Sequence, residues 1–360
     1  MHGVRVLEFA GIGPGPFCGM LLADLGADVV RVERPGTEGL LLPWSRDLLN
    51  RGKRSVAADL KTTDGLDLTL SLVAKADVAF EGFRPGVAER LGIGPEACWQ
   101  RRPQLVYGRM TGWGQTGPLA NTAGHDITYI APTGALHAIG SAGGPPQAPL
   151  NLVGDFGGGA LYLAVGLLAA LHEARTSARG QVVDVAMVDG AAHLMTMFYA
   201  LHSAGVWADE RGTNLLDGGA PFYGIYRTAD GEHIAVGALE PQFFADFVDR
   251  LGITVPDDAQ QDPTTWPQLR QRITTAFASR TRQEWTDAFQ DSDACVAPVL
   301  SMTEAPHHPH LRARNTFVEH DGIVQPGPAP RFSRTPGNIR RPPSIPGQHT
   351  EEVLAEWLGD

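Results

Sequence analysis

Three short segments crowd glycine, aromatic and ionisable residues together, the mixture that acid/base chemistry on a bound ligand needs. Gly124-His125-Asp126 sets an imidazole beside a carboxylate. Asn151-Leu152-Val153-Gly154-Asp155-Phe156-Gly157-Gly158-Gly159 leads a carboxylate into an apolar helix. Arg109-Met110-Thr111-Gly112-Trp113-Gly114-Gln115-Thr116-Gly117-Pro118 follows a strand-like run. An aspartate ahead of an apolar helix is ordinarily an N-cap, and a lone histidine is ordinarily a structural hydrogen-bonder. The three glycines after Asp155 point further. Glycine costs about 1 kcal/mol inside a helix, lets a ligand approach the backbone closely, and leaves first-turn amides open to developing negative charge. On the residues alone, both readings of Asp155 stand. His307-His308-Pro309-His310 has the look of a metal tract, but no cysteine or carboxylate stands at ligand spacing, so no metal site is expected. There is no G-x-S-x-G, P-loop or H-E-x-x-H pattern.

The elements that must position these residues alternate along the first 190. Strand-like runs at Val4 to Phe9, Asp28 to Val32, Asp77 to Phe80, Leu105 to Arg109 and Val182 to Val185 are separated by helical stretches at Phe17 to Leu25, Asp64 to Lys75 and Phe156 to Ala174. That alternation predicts a parallel sheet covered by helices, an α/β fold. Gly11-Ile12-Gly13-Pro14-Gly15-Pro16, between the first strand and helix, mimics a dinucleotide fingerprint. The third glycine comes one position early and prolines interrupt it, so a nicotinamide cofactor is not expected. Past Pro221, a hairpin closed at Asp230-Gly231 precedes amphipathic helices around Gln242 to Leu251, Trp266 to Ala278 and Arg282 to Gln290, which predicts a smaller α+β domain. The expected division is 1–190 with 325–360 as the large domain, 191–220 as a linker, 221–310 as the small domain and 311–324 as a return linker. The proline-rich stretch Val324 to Pro346 reads as an extended strap before a closing helix, Thr350 to Trp357.

Composition narrows the function. The 360 residues carry a net charge of −11, which excludes a general nucleic-acid binder. Arg31 to Arg109 holds 13 Lys+Arg against 10 Asp+Glu, a net of +3 that leaves −14 for the rest. A locally basic stretch in an acidic chain suits a small anionic ligand. The longest apolar stretch, Ala160 to Leu171, is short of the ~20 residues a bilayer requires, so no membrane association is expected. Neither a signal peptide nor a peroxisomal address is read at the termini. Cys18, Cys98 and Cys295 are few and scattered, as reduced thiols of a cytoplasmic protein would be.

Several further segments carry a resemblance. They are Leu25-Gly26-Ala27-Asp28-Val29-Val30-Arg31-Val32-Glu33-Arg34-Pro35-Gly36, Arg51-Gly52-Lys53-Arg54-Ser55, Asp59-Leu60-Lys61, Phe83-Arg84-Pro85-Gly86-Val87 and Ala294-Cys295-Val296-Ala297-Pro298-Val299. With Gly112 to Pro118 and Gly124-His125-Asp126, they make the chain resemble the class III CoA-transferase (CaiB/BaiF) family over essentially its whole length. Within it the chain is most similar to the α-methylacyl-CoA racemase branch. Transferases of the family tend to carry phenylalanine or tyrosine where His125 stands, and use the aspartate matching Asp155 as nucleophile. The racemase branch carries histidine. Chemistry explains the difference: attack on a thioester carbonyl needs one carboxylate, whereas inverting an α-carbon needs two acid/base groups on opposite faces.

The resemblance implies a Rossmann-like large domain, a smaller α+β domain and an interlocked homodimer. It implies that His125 and Asp155 exchange the proton, with Glu240 beside the histidine from the partner chain's small domain and Asn151 beside the aspartate. It also implies a CoA path along Arg34, Ala58, Asp59, Leu60, Lys61, Arg84 and Arg90, with Gly124, Asp126, Ile127 and Tyr129 holding the thioester end. Acyl-CoA is then the substrate and no cofactor is expected. Racemases of this kind can show a methionine-rich surface for the acyl tail; Met195 and Met197 near Phe198 and Tyr199 read either as a thin version of it or as ordinary core. Two other readings remain: a CoA-transferase acting through Asp155, and a non-catalytic acyl-CoA binder.

Overall fold

Runs such as Val78-Ala79-Phe80 are apolar on both faces, the pattern of strands covered by helices on each side. In a computed structural model, which describes residues 1–36 and 42–359, these runs form one parallel sheet. Its strands are β1 (Arg5–Phe9), β2 (Asp28–Glu33), β3 (Arg54–Ala57), β4 (Val78–Glu81), β5 (Val106–Thr111) and β6 (Val182–Ala186), in the order β3-β2-β1-β4-β5-β6. This is the doubly wound order of two mononucleotide-binding halves. Val6 sits opposite Val29 on one side and Val78 on the other, so β1 and β4 are neighbours although β2 and β3 lie between them in sequence.

One sheet face presents Val6, Val29, Val78 and Val106 to α1 (Pro14–Asp24). The other presents Leu7, Val30, Val56 and Tyr107 to α2 (Thr63–Val73). Short helices α3 (Val87–Arg90), α4 (Pro95–Arg101) and α5 (Asp126–Ile130) follow β4 and β5. A π-helical stretch, Leu152–Ala160, runs on into α6 (Leu161–Ser177), and α7 (Met187–Leu194) follows β6. The continuous helix of 26 residues, Leu152–Ser177, is by length and composition long enough to cross a membrane, unlike the shorter stretch read from sequence. Here Leu163, Leu167 and Leu171 bury one face, while Leu161, Val165 and Leu168 on the other are exposed.

The chain divides into two units, and not at the expected boundaries. The first comprises Met1–Thr133, Pro149–Met195 and Pro309–Asp360; the second, Gly134–Ala148 and Thr196–His308. Residues 196–220 are therefore part of the second unit, where they contribute a helix, Thr196–Ser203. Gly134–Ala148 joins them because Arg211 donates to the carbonyls of His137 and Gly144. Residues 311–324 belong to the first unit instead of a linker, as do 309 and 310, expected in the small domain. A ribbon of Phe317–His320 and Ile323–Pro326 docks there through Arg51, which donates to Gln325 Oε1 and the Pro326 carbonyl.

The second unit holds an antiparallel sheet of β7 (Tyr223–Arg227), β8 (His233–Gly237) and β9 (Val296–Pro298), with helices α8 (Pro241–Leu251), α9 (Trp266–Phe277) and α10 (Arg282–Ala288). Its core is aromatic: Tyr226, Phe247, Phe277, Trp285 and Phe289 pack ring against ring.

Candidate active site

Because all six strands are parallel, the segments that follow them meet at one sheet edge. Open α/β sheets bind ligands at that edge, where the strand order reverses. Here the reversal falls between β1 and β4. Gly11 to Gly13 after β1, Gly82 to Arg84 after β4 and Gly112-Trp113 after β5 wall a cavity of about 1030 Å³. His125, Tyr129, Asn151 and Asp155 complete its wall, so the acid/base candidates His125 and Asp155 face the same space.

Asp155 stands in the first turn of the π-helical stretch, whose N-cap is Asn151. Asp155 is therefore not itself the cap. π-Helical turns are rare and frequently mark functional sites. Asn151 Nδ2 donates to Asp155 Oδ2 at 3.1 Å, and the Asp155 amide donates to Asp126 Oδ1 at 2.6 Å. Burial pushes the Asp155 carboxyl above its ordinary value; the Asn151 hydrogen bond opposes this, Asp126 adds to it and His125 opposes it. The glycine-rich loop explains itself here. At Gly13 (φ +67°), an added Cβ would lie 2.8 Å from Asp155 Oδ2. The loop that mimics a dinucleotide fingerprint closes over a carboxylate.

The glycines after Asp155 have a different use from the one expected. A Cβ on Gly158 would lie 2.6 Å from the Ala191 nitrogen, and one on Gly190 1.9 Å from the Gly158 carbonyl. They allow the π-helical stretch and α7 to touch backbone to backbone. Nor are the nearby amides open to an oxyanion: Phe156 N–H donates to the Asn151 carbonyl, and Asp155 N–H is taken by Asp126.

His125 is the exposed N-cap of α5 in an extended conformation. Its amide donates to Thr128 Oγ1 and its carbonyl accepts the Thr128 hydroxyl, which fixes the backbone and leaves the ring at the cavity wall. Tyr129 donates to the Gly124 carbonyl at 2.5 Å and packs edge-on against Trp113.

Of the expected CoA-path residues, Arg84, Gly124 and Tyr129 line this cavity. Arg34 and Ala58 to Lys61 follow β2 and β3 at the same sheet edge but outside the lining, with Ala58 buried. Arg90 ends α3 beside Gly86, and Ile127 is exposed on α5. Asp126, expected at the thioester end, is buried and outside the lining, with its carboxylate turned to the Asp155 amide. Glu240 belongs to the second unit, where it is the exposed N-cap of α8 and its charge acts on Cys295. The cavity's methionines are Met110 and Met187, not Met195 or Met197.

Sequence reasoning missed Arg31, Trp44 and Glu81 on the wall. The signal was present: Arg31 and Glu33 interrupt a valine strand. In the structure Arg31 pairs with Glu8 at 3.1 Å and Glu33 at 2.9 Å, all buried, and its guanidinium lies 5.7 Å from the centre of the Trp44 ring. Glu81 Oε2 accepts the Phe83 amide at 2.6 Å; burial pushes its carboxyl up to about 7, with Arg109 opposing. Among the described residues, no cluster of three His, Cys, Asp or Glu could hold a metal ion.

The model of CoA-transferase family III matches residues 1–350. The chain belongs to CoA-transferase family III. This family III chain is 47% identical over 361 residues to a Mus musculus protein named alpha-methylacyl-CoA racemase, covering 99% of the chain and 93% of that protein. It is 44% identical over 363 residues to a Homo sapiens protein of the same name, again covering 99% and 93%. Its fold is that of a CaiB/BaiF family protein from Brucella suis, with a TM-score of 0.83 at 24% identity, covering 99% of this chain and 98% of that one.

Proposed function

We propose that the chain is an α-methylacyl-CoA racemase, an isomerase that interconverts (2R)- and (2S)-2-methylacyl-CoA thioesters. The observation that carries this is His125 and Asp155 on the wall of one cavity. One group removes the α-proton while the electron pair moves onto the thioester carbonyl oxygen. The other returns a proton to the opposite face of the enolate, and the roles reverse for the other epimer. The raised Asp155 carboxyl suits both directions, since a more basic carboxylate takes the proton better and its acid form persists closer to neutrality. Asn151 fixes one carboxyl oxygen, and Gly13 leaves room for it.

The test is incubation of one epimer in deuterium oxide. Deuterium should enter the α-carbon as the configuration scrambles. His125→Ala and Asp155→Ala should each fold and bind CoA while losing about 10²–10⁴-fold in rate. The second reading is CoA transfer through Asp155 as nucleophile. It draws on the half-buried carboxylate, but attack on a thioester carbonyl needs one carboxylate and leaves His125, on the wall of the same cavity, without a role. Hydroxylamine trapping at Asp155, with CoA exchange onto free acids and no deuterium uptake, would establish that reading instead.

We further propose that the enzyme acts as a homodimer in the cytoplasm, in fatty acid and lipid metabolism. Acyl-CoA is its substrate, and it needs no added metal, redox cofactor, nucleic acid or membrane. The exposed row Leu161, Val165 and Leu168, with Val165 68% exposed, is an apolar face of the kind a second copy covers.

A further inference from the structure

We infer that Asp126 is a positioning residue, the cross-link that holds the turn of Asp155 against the turn of His125. It follows His125 directly and opens α5. Its side chain reaches across 29 positions of sequence to the Asp155 amide at 2.6 Å. A charge-assisted hydrogen bond of this kind is about twice as strong as a neutral one. The fit extends to the neighbouring residue: a Cβ on Gly154 would lie 2.5 Å from Asp126 Oδ1 and 2.9 Å from its Cγ. Position 154 is thus kept empty for the Asp126 carboxylate.

A ligand contact does not account for this geometry. Asp126 is 7% exposed and its side chain is turned away from the cavity wall. Its second oxygen, Oδ2, is buried without a hydrogen-bond partner among the described residues. Burying a carboxylate with one donor is costly. What the fold obtains is a short covalent and hydrogen-bonded path between the two acid/base groups: one peptide bond from His125 to Asp126, then one hydrogen bond to the backbone of Asp155. The buried charge also faces the Asp155 carboxyl. The groups that act on Asp155 are Asp126 and His125 from α5 and Asn151 from its own element, while Tyr129, also on α5, feels the Asp155 charge in turn. Asp126 raises the Asp155 carboxyl and His125 lowers it.

The inference rests on the racemase reading for its kinetic arm alone. Three variants of the full chain separate the possibilities: Asp126→Ala removes the acceptor, Asp126→Asn keeps an acceptor without the charge, and Gly154→Ala crowds the carboxylate from the other side. Hydrogen exchange read by mass spectrometry on the peptide spanning 152–160 should quicken in Asp126→Ala and Gly154→Ala. In the same two variants kcat should fall about 10²-fold, the scale of a misplaced catalytic group, with KM for acyl-CoA unchanged. In Asp126→Asn the loss should be smaller, and the pH-profile limb that belongs to Asp155 should move to lower pH. Unchanged exchange, or a raised KM with kcat retained, would overturn the positioning role; a limb that stays in place would overturn its electrostatic half. If Asp126→Ala does not fold, the other two variants decide. Wild-type protein without α-deuterium uptake would end the racemase reading, yet the exchange arm would still test the cross-link.

Discussion

Lys53 Nζ lies 2.6 Å from Glu8 Oε2, and both side chains are fully buried beneath the first helix of the sheet. The ammonium also donates to the Pro16 carbonyl at 2.9 Å and to Asn50 Oδ1 at 3.1 Å. It thereby pins the start of α1, which carries the loop that closes over Asp155. Breaking one half of a buried pair leaves an uncompensated charge and costs about 3–5 kcal/mol. Lys53→Met should lose stability on that scale in denaturant unfolding. Adding Glu8→Leu should recover part of the loss, since Arg31 retains Glu33 as a partner. A single variant as stable as wild type would show that the pair contributes nothing.

Glu81 makes stability depend on pH in a predictable direction. Its carboxyl titrates near 7 in the folded chain and near 4.3 when unfolded. A raised carboxyl favours the protonated folded state, so stability falls as pH rises from about 4.5 to 7 and levels off above that. The full effect is about 4 kcal/mol. Glu81→Gln removes it. The unfolding free energy of the variant relative to wild type should therefore climb between pH 5 and pH 7.5 and then stay flat. A difference constant across that range would contradict the titration assigned to Glu81.

Arg84 is the one arginine of the expected CoA path that lines the cavity. Loss of a charged hydrogen bond costs about 1.5–3 kcal/mol. Arg84→Ala should therefore raise KM for acyl-CoA by about 10–100-fold, flatten its salt dependence and leave a truncated pantetheine thioester almost unaffected. Arg34→Ala and Arg90→Ala should act in the same sense and more weakly. Equal losses on full and truncated substrates would remove these arginines from the nucleotide end.

Glu240 and His125 lie in different units of the chain. The proposed homodimer, if Glu240 of one copy serves His125 of the other, makes a complementation test possible. Mixing inactive Glu240→Ala with inactive His125→Ala protein, after dissociation and reassociation, should then restore activity, at most about a quarter of wild type, because a mixed C₂ dimer keeps one intact site of two. Reassociated mixtures that stay inactive would place both residues of a site in a single copy or make Glu240 dispensable.

Much of the scaffold was legible because its signals are local. The valine-rich strands declare themselves by composition, and Asp230-Gly231 fixes the hairpin of the second unit. β3 was not legible. Arg54-Ser55-Val56-Ala57 is short and half polar, and reads as surface until its partners are known: Arg54 pairs with Asp28 at 2.5 Å, and Ser55 donates to Glu33. The triple glycine pointed to the right place for the wrong reason, because backbone contact between two helices leaves the same trace as room for a ligand. The family resemblance put Asp126 at the thioester end, and nothing in a sequence reveals that a side chain turns inward to an amide 29 residues away. Glu81 was passed over because a carboxylate at the end of a strand is ordinary until its burial is seen.

The last helix, Thr350–Leu358, packs on β3 and α2 of the sheet. Trp357 Nε1 donates to Asp28 Oδ2, and Arg54 reaches Glu352 and Glu356. On a ribosome this helix is made long after the strands it covers. Until it emerges, Val30 and Val56 lack part of their cover, so the first unit cannot finish folding while the second, built from the middle of the chain, already can. A nascent chain stalled before residue 350 should therefore be a substrate for chaperones at one domain and not the other.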